Sequence, residues 1–342
     1  MHMADALISP QVGVTMSIVS IITIALVITK LKDQITTKMI PLMGIMGAFV
    51  FAAQMINFTI PGTGSSGHLV GSILLCAILG PLPAVIVITS VLIIQSLFFA
   101  DGGLLALGCN IFNMGIIPCL IVYPLVFRLI VAKRVNAGTL TLAAVVSSII
   151  ALELGAFSVT VMTSLSGITM LPFGAFLATM TIIHLPISII EGLVTGAVLS
   201  YVFAERHELI EVYKGEEIGR VKTARPVMIV LLVAALIVGG LISLLASAYP
   251  DGLEWSAARI SGVEEIEGDG SSLHDRLAAV QEKFAFMPDY DYKTPGTLPV
   301  NGVTTAGIVG SLITLTVAVV LAFLIKTLRR RKYGDADSSL VE

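Results

Sequence analysis

Nine apolar stretches, punctuated by four clusters of basic residues, constrain this chain more than any other feature. The stretches run Val12–Ile28, Met39–Phe58, Leu69–Leu79, Leu82–Phe99, Ile111–Val131, Leu140–Thr163, Phe173–Phe203, Val227–Ala246 and Thr304–Ile325. A spanning helix needs about 20 apolar residues, and fewer where protein shields it. The third stretch is short, broken by Gly80-Pro81-Leu82-Pro83, and such a helix is tolerated where its backbone is buried. Hydrophobic residues make up 56% of the 342 and charged residues 13%, against about 45–50% and 25% in soluble domains. The expected fold class is all-α: a polytopic helical membrane protein of about nine spans. A water-soluble enzyme is excluded, and a net charge of -3 offers no basic face for nucleic acid.

The basic clusters set the expected orientation. Lys30, Lys32 and Lys38 separate the first two stretches, and Lys133 and Arg134 separate the fifth and sixth. Lys214, Arg220, Lys222 and Arg225 precede the eighth, and Lys326, Arg329, Arg330, Arg331 and Lys332 follow the ninth. With nine spans all four clusters fall on one side, which the positive-inside rule makes cytoplasmic. The N-terminus is then outside, as is the loop PGTGSSGHLVG, and the C-terminus is cytoplasmic. The chain divides into a seven-span unit (1–207), a linker (208–226) and a two-span unit (227–342) with an external loop (247–302). That loop holds ten acids against four bases. Within it SSLHDRLAAVQEKFAF, with a Ser272–Asp275 cap, reads as a short amphipathic helix.

Histidines carry the most specific chemistry. The chain opens Met1-His2-Met3, and no Lys or Arg precedes Lys30, so the basic start of a secretory leader is missing and Met1 is expected to stay. An N-terminal Xaa-His pair is a chelator: the free amine, the His2 backbone nitrogen and one imidazole nitrogen close adjoining five- and six-membered rings around a metal. A fourth nitrogen from His68, in a loop made supple by Gly62, Gly64 and Gly67, would complete a planar four-nitrogen set suited to Ni(II) or Cu(II). A chance His after Met1 and a solvated loop histidine stay open as the alternative. His184, before Pro186, is expected to hydrogen-bond among helices, and His274 to be an outer-loop imidazole.

Intramembrane polar residues are functional candidates by default. Asn57, Asp101 and Asn113 lie near the outer ends of their spans, where they would support the ligands; Gln95 and Asn110 belong to the same set without a role. Glu153 and Glu191 are expected to tie helix to helix. Gly44, Ala48 and Ala52 form a stripe of small residues that admits another helix, either within the bundle or on a partner subunit. Cys76, Cys109 and Cys119 lack CxxC spacing and read as packing residues. The chain has neither GxxxxGK[ST] nor HExxH, hence no phosphate loop of its own and no zinc-protease signature.

MHMADALISP with a downstream GSSGHLVG resembles the substrate-binding M component of energy-coupling factor (ECF) transporters for nickel and cobalt, the NikM/CbiM family. PDGLEW, at Pro250–Trp255, is similar to the PDGLE motif of the two-span N component. The two resemblances cover about 1–207 and 227–332. They imply a fused M–N protein of a prokaryotic cell membrane, with the metal held by Met1, His2 and His68. They also imply a transmembrane coupling subunit and cytoplasmic ATPases as partners, with Gly44, Ala48 and Ala52 facing the coupling subunit. The expected activity is capture of Ni2+ or Co2+ at the outer face and ATP-driven release inward, with no organic cofactor and no bond made or broken in the substrate. Planar coordination favours nickel; a cobalt importer feeding cobalamin synthesis, or a secondary transporter with proton coupling through Glu153 or Glu191, are the alternatives.

Overall fold

The computed structural model describes residues 1–213, 225–263, 272–294 and 301–338, so Lys214, Arg220 and Lys222 of the basic clusters lie outside the described residues. The chain is a multi-pass helical membrane protein. Among the described residues, seven helices are long and apolar enough to cross a membrane: α1 (Pro10–Leu31), α4 (Pro81–Phe98), α5 (Leu107–Val131), α6 (Ala137–Ser166), α7 (which begins the span Phe173–Leu209), α8 (in Arg225–Leu245) and α11 (in Gly302–Leu328). Two apolar helices are shorter, α2 (Met39–Gln54) and α3 (Ser72–Leu79). α9 (Gly252–Ser261) and α10 (Ser272–Phe284) fill the connection between α8 and α11. The second apolar stretch was expected to stay helical to Phe58. Its helix stops at Gln54 and the chain turns into a two-stranded antiparallel hairpin, β1 (Phe58–Ile60) with β2 (Ser65–Gly67), paired Phe58 to Gly67.

That hairpin returns the chain to the bundle, and buried polar groups hold it there. Gln54 donates its amide nitrogen to the Val70 carbonyl at 2.7 Å, and the Glu191 carboxylate of α7 accepts from Val70 N (2.9 Å) and Gly71 N (3.0 Å). Gly71 takes φ +77°, a conformation open to glycine, and α3 starts at the next residue. All eight α3 residues are buried, which is why so short a helix survives: neighbouring helices enclose its backbone ends. In α5, residues Phe112–Phe127 wind as π-helix, with Pro118 and Pro124 inside it, each removing a main-chain donor.

The small-residue stripe of α2 lies within the chain's own bundle. A Cβ built on Gly44 would lie 2.5 Å from Val319 Cγ2 and 3.0 Å from the Leu315 carbonyl, both on α11. Ser311 of α11 donates to the Ala48 carbonyl at 3.4 Å, and Ala48 and Ala52 are fully buried. The expected partner surface is therefore corrected. The helix that Gly44 and Ala48 admit is α11, whose close approach at Gly44 leaves no room for a larger side chain. At the opposite end of the bundle from the hairpin, Arg128 of α5 pairs with Glu211, which also accepts from Tyr123, and Lys326 donates to Thr37.

Candidate metal centre

The first nine residues form a strap pinned inside the bundle. Asn110 of α5 brackets Met3, accepting from its N–H at 2.8 Å and donating to its carbonyl at 3.2 Å; Gly103 N donates to the same carbonyl at 2.9 Å. The Met1 and Met3 side chains are buried, and Gly155 of α6 makes the room, since a Cβ there would lie 2.9 Å from Met1 Cε. Asp5 accepts from Ala106 N at 2.9 Å, and Ser9 caps α1 ahead of Pro10. The His274 ring of α10 reaches the carbonyls of Asp5 (3.1 Å) and Ile8 (3.0 Å). His274 stands in the connection between α8 and α11 that the sequence marks as the loop. His274 is buried because the strap offers carbonyls that the fold leaves for a ring N–H.

Strap and hairpin converge. The Met1 amine lies 3.2 Å from His68 Nε2, and the His2 and His68 rings stack with centroids 5.0 Å apart and planes inclined 22°. His68 Nδ1 lies 3.2 Å from the Leu69 carbonyl, an oxygen that can only accept, so Nδ1 carries the proton and Nε2 keeps its lone pair. His2 Nε2 lies 3.2 Å from Gln95 Oε1 and its Nδ1 3.3 Å from Asp101 Oδ1. Asp101 is aimed by the end of α4. Its N–H bonds the Gln95 carbonyl at 3.1 Å, with Ala100 left-handed at φ +54°, where glycine is the usual residue. Tyr290 donates to Asp101 Oδ2 at 2.5 Å.

The Pro-Asp-Gly-Leu-Glu segment closes the cluster. Asp251 caps α9 in a capping box, its Oδ1 accepting from Leu253 N and Glu254 N, both at 2.8 Å. Its other oxygen lies 3.0 Å from the Met1 amine and 3.9 Å from His68 Nε2. Ser66 of β2 clasps the residues just before, its N–H donating to the Pro250 carbonyl at 2.8 Å and its hydroxyl to that of Tyr249 at 2.8 Å. Gly252 packs flat on α7, where a Cβ would meet His184 Cε1 at 3.2 Å.

Electrostatics favour neutral imidazoles. Burial, then the adjacent Met1 ammonium, lowers His2 to about 3; burial, the ammonium and His2 lower His68 to about 3. Burial alone would raise Asp251, but the ammonium and His68 outweigh it and hold the carboxyl below its usual range. Burial raises Asp101 despite the Tyr290 hydrogen bond. The cluster opens into a cavity of about 610 Å3 whose wall includes His2, His68, Asp101, Asp251, Glu254 and Asp289. Among the described residues no three His, Cys, Asp or Glu side chains form a ligand group.

Of the residues that the sequence singles out, Met1, His2, His68 and Asp101 come together. Asn113 lies beneath the strap, its amide nitrogen 3.7 Å from Met3 Sδ and 4.0 Å from Met162 Sδ. Asn57 lines the cavity and gives its carbonyl to Ser247 N. His184 bonds the Met180 carbonyl within α7, and Glu153 is half-buried on α6. All three cysteines are buried and free. Sequence reading missed Asp251, Tyr290 and the clamp by His274. The D-x-x-E spacing of the motif signals a helix start, and the carboxylate's second contact, to the amine, leaves no trace in the sequence.

Residues 2–209 match the family described as cobalt uptake substrate-specific transmembrane region, and residues 225–327 match the PDGLE domain. The chain is 32% identical over 330 residues to the putative fused nickel transport protein NikMN of Archaeoglobus fulgidus, covering 96% of this chain and 100% of that one. It is 34% identical over 219 residues to a putative metal transport protein of Haloquadratum walsbyi, covering 61% of this chain and 93% of the other. The crystal structure of a truncated transition metal transporter, 29% identical, superposes with a TM-score of 0.54 over 60% of this chain and 100% of that chain.

Proposed function

The chain belongs to the family of cobalt-uptake substrate-specific transmembrane regions and carries a PDGLE domain behind it, and from this we infer that it is the substrate-binding subunit of an ATP-driven importer of a divalent transition metal. The metal sits among the Met1 amine, the His2 backbone nitrogen, His2 Nδ1 and His68 Nε2. One observation carries this reading: a chain terminus 3.2 Å from an imidazole nitrogen 67 residues away, with that nitrogen's lone pair turned towards it. Four nitrogens in a plane suit Ni(II), so nickel is favoured over cobalt. Binding replaces the amine proton and the peptide proton by one dication, and affinity falls as pH drops.

In this reading the N-terminus lies outside and the C-terminus in the cytoplasm of a prokaryotic cell, which the positive-inside pattern of the basic clusters supports. In this reading a transmembrane coupling subunit and cytoplasmic ATPases, the partners that the resemblance implies, supply the energy. The isolated chain then binds metal and imports little until those partners are added.

The test is metal analysis of protein with an authentic, untagged N-terminus beside the same protein extended by one residue before Met1. Extension keeps every side chain and destroys the chelating register, so bound nickel should vanish while membrane insertion persists. Full nickel occupancy in the extended protein refutes the chelate. Competition between Ni2+ and Co2+ on the native terminus decides the metal.

A further inference from the structure

The chelate rests on a choice that the His2 ring has to make. A neutral imidazole carries one N–H, and the ring nitrogen that keeps its lone pair is set by the hydrogen bond of the other. A six-membered ring closed with the His2 backbone nitrogen uses Nδ1, so the proton must sit on Nε2. Two acceptors compete for it. Gln95 Oε1 lies 3.2 Å from Nε2 and Asp101 Oδ1 lies 3.3 Å from Nδ1. Were the proton on Nδ1, facing Asp101, the Nε2 lone pair would point at the amide oxygen of Gln95, and Nδ1 would be closed to a metal.

Gln95 is built for this contest. It is fully buried one turn before the end of α4, and an enclosed acceptor without a donor is costly. Its main-chain carbonyl receives both Phe99 N (3.0 Å) and Asp101 N (3.1 Å), so one residue fixes the two acceptors on either side of the ring. The amide oxygen cannot change role, whereas the Asp101 carboxyl can face a lone pair by carrying a proton or by neighbouring a cation. His68 shows the same device, its Nδ1–H spent on the Leu69 carbonyl and Nε2 left open.

We propose that Gln95 is a positioning residue for metal capture, holding His2 as the Nε2–H tautomer with Nδ1 open to the incoming dication. The inference rests on the chelate reading given above. It also gives Asp101 a part: the lone pair and carboxylate that face each other in the metal-free site form a place that a cation relieves.

Three variants test it by nickel titration of purified protein with a native terminus: Gln95→Glu, Gln95→Leu and His68→Ala. Glutamate keeps an acceptor at the same reach and should stay within a few-fold of the parent. Leucine, which offers none, should weaken binding by roughly tenfold to a hundredfold, the range for loss of a ligand's outer partner. Loss of binding in Gln95→Glu as complete as in Gln95→Leu overturns the proposal, because the group facing His2 would then be the amide nitrogen. Parent-like binding in Gln95→Leu also overturns it. If His68→Ala binds like the parent, the chelate itself is wrong, which separates the two failures. A measurement on the unsubstituted, metal-free protein needs no variant to fold: the nitrogen-15 shifts of His2 should report a protonated Nε2 and a bare Nδ1, and the reverse pattern refutes the assignment.

Discussion

The seven-helix unit and the PDGLE unit meet at two places built on different principles. Inside the bundle, Gly44 and Gly47 of α2 lie against Leu315, Ala318 and Val319 of α11, and Ala48 meets Ser311, a joint whose strength is area and close fit. At the mouth, Asp251 holds the Met1 amine, His274 the strap carbonyls, Gln281 the carbonyls of Ser96 and Gly102, and Tyr290 the Asp101 carboxylate. Dispersion is indifferent to which atoms touch, so the joint brings the units together without choosing a chemistry. Hydrogen bonds in an enclosed site are directional and costly to leave unmade, so the mouth places individual atoms. The joint serves stability, and the mouth serves geometry.

The largest expected effect separates a ligand from a clamp within the mouth. His68→Ala should reduce nickel binding to background. His274→Ala releases two strap carbonyls while leaving all four proposed ligands, and should cost roughly tenfold. Equal titration curves for the two variants would mean that the strap's position matters as much as the imidazole does.

Next comes the joint. Gly44→Leu drives a side chain into Val319 and the α11 backbone, and overpacking of this kind costs about 1–3 kcal/mol. Denaturant unfolding should show that loss, while nickel bound per folded molecule stays near the parent value. A variant that keeps its stability and loses metal would erase the division between joint and mouth.

Asp251→Asn sharpens the contrast further. Asparagine caps a helix as well as aspartate does, so α9 should persist and thermal stability should change little. The charge beside the Met1 amine is gone, and nickel affinity should fall roughly tenfold. Unchanged affinity with unchanged melting temperature would make Asp251 a cap and nothing more.

The smallest effect is on the metal-free protein. Both His2 and His68 are lowered from 6.5 to about 3, so below 6.5 the unfolded chain binds protons that the folded one refuses. The stability these imidazoles contribute is fully present above about 6.5 and is lost as pH falls from there towards about 3. Melting curves across that window should fall with pH, and His68→Ala should flatten the slope.

Much of this architecture was legible in the residues because it is additive along the chain. Hydrophobicity sums over about 20 consecutive residues, which located nine apolar stretches within a few residues of the helices found; basic residues sum over short loops. The chelating register proposed for Met1-His2 depends on neighbouring atoms alone, and the capping box in Asp-Gly-Leu-Glu spans one turn. The errors lay where several segments decide together. The apolar run to Phe58 gave no sign that Gln54 would end α2 by bonding Val70, and the small residues of α2 could not say which helix they admit.

What the sequence by itself determined is therefore the multi-pass helical class and the succession of a cobalt-uptake-type region and a PDGLE domain, and it also supplied the terminus proposed as a chelator. Only the tertiary structure decided how that terminus is held. The His2 ring answers to Gln95 and Asp101, the Met1 amine to Asp251, and Asp101 to Tyr290, groups brought from four separate stretches of chain. A proton's place on an imidazole depends on the oxygens within about 3 Å of it, and no pattern read along the chain carries the distance between residues so far apart.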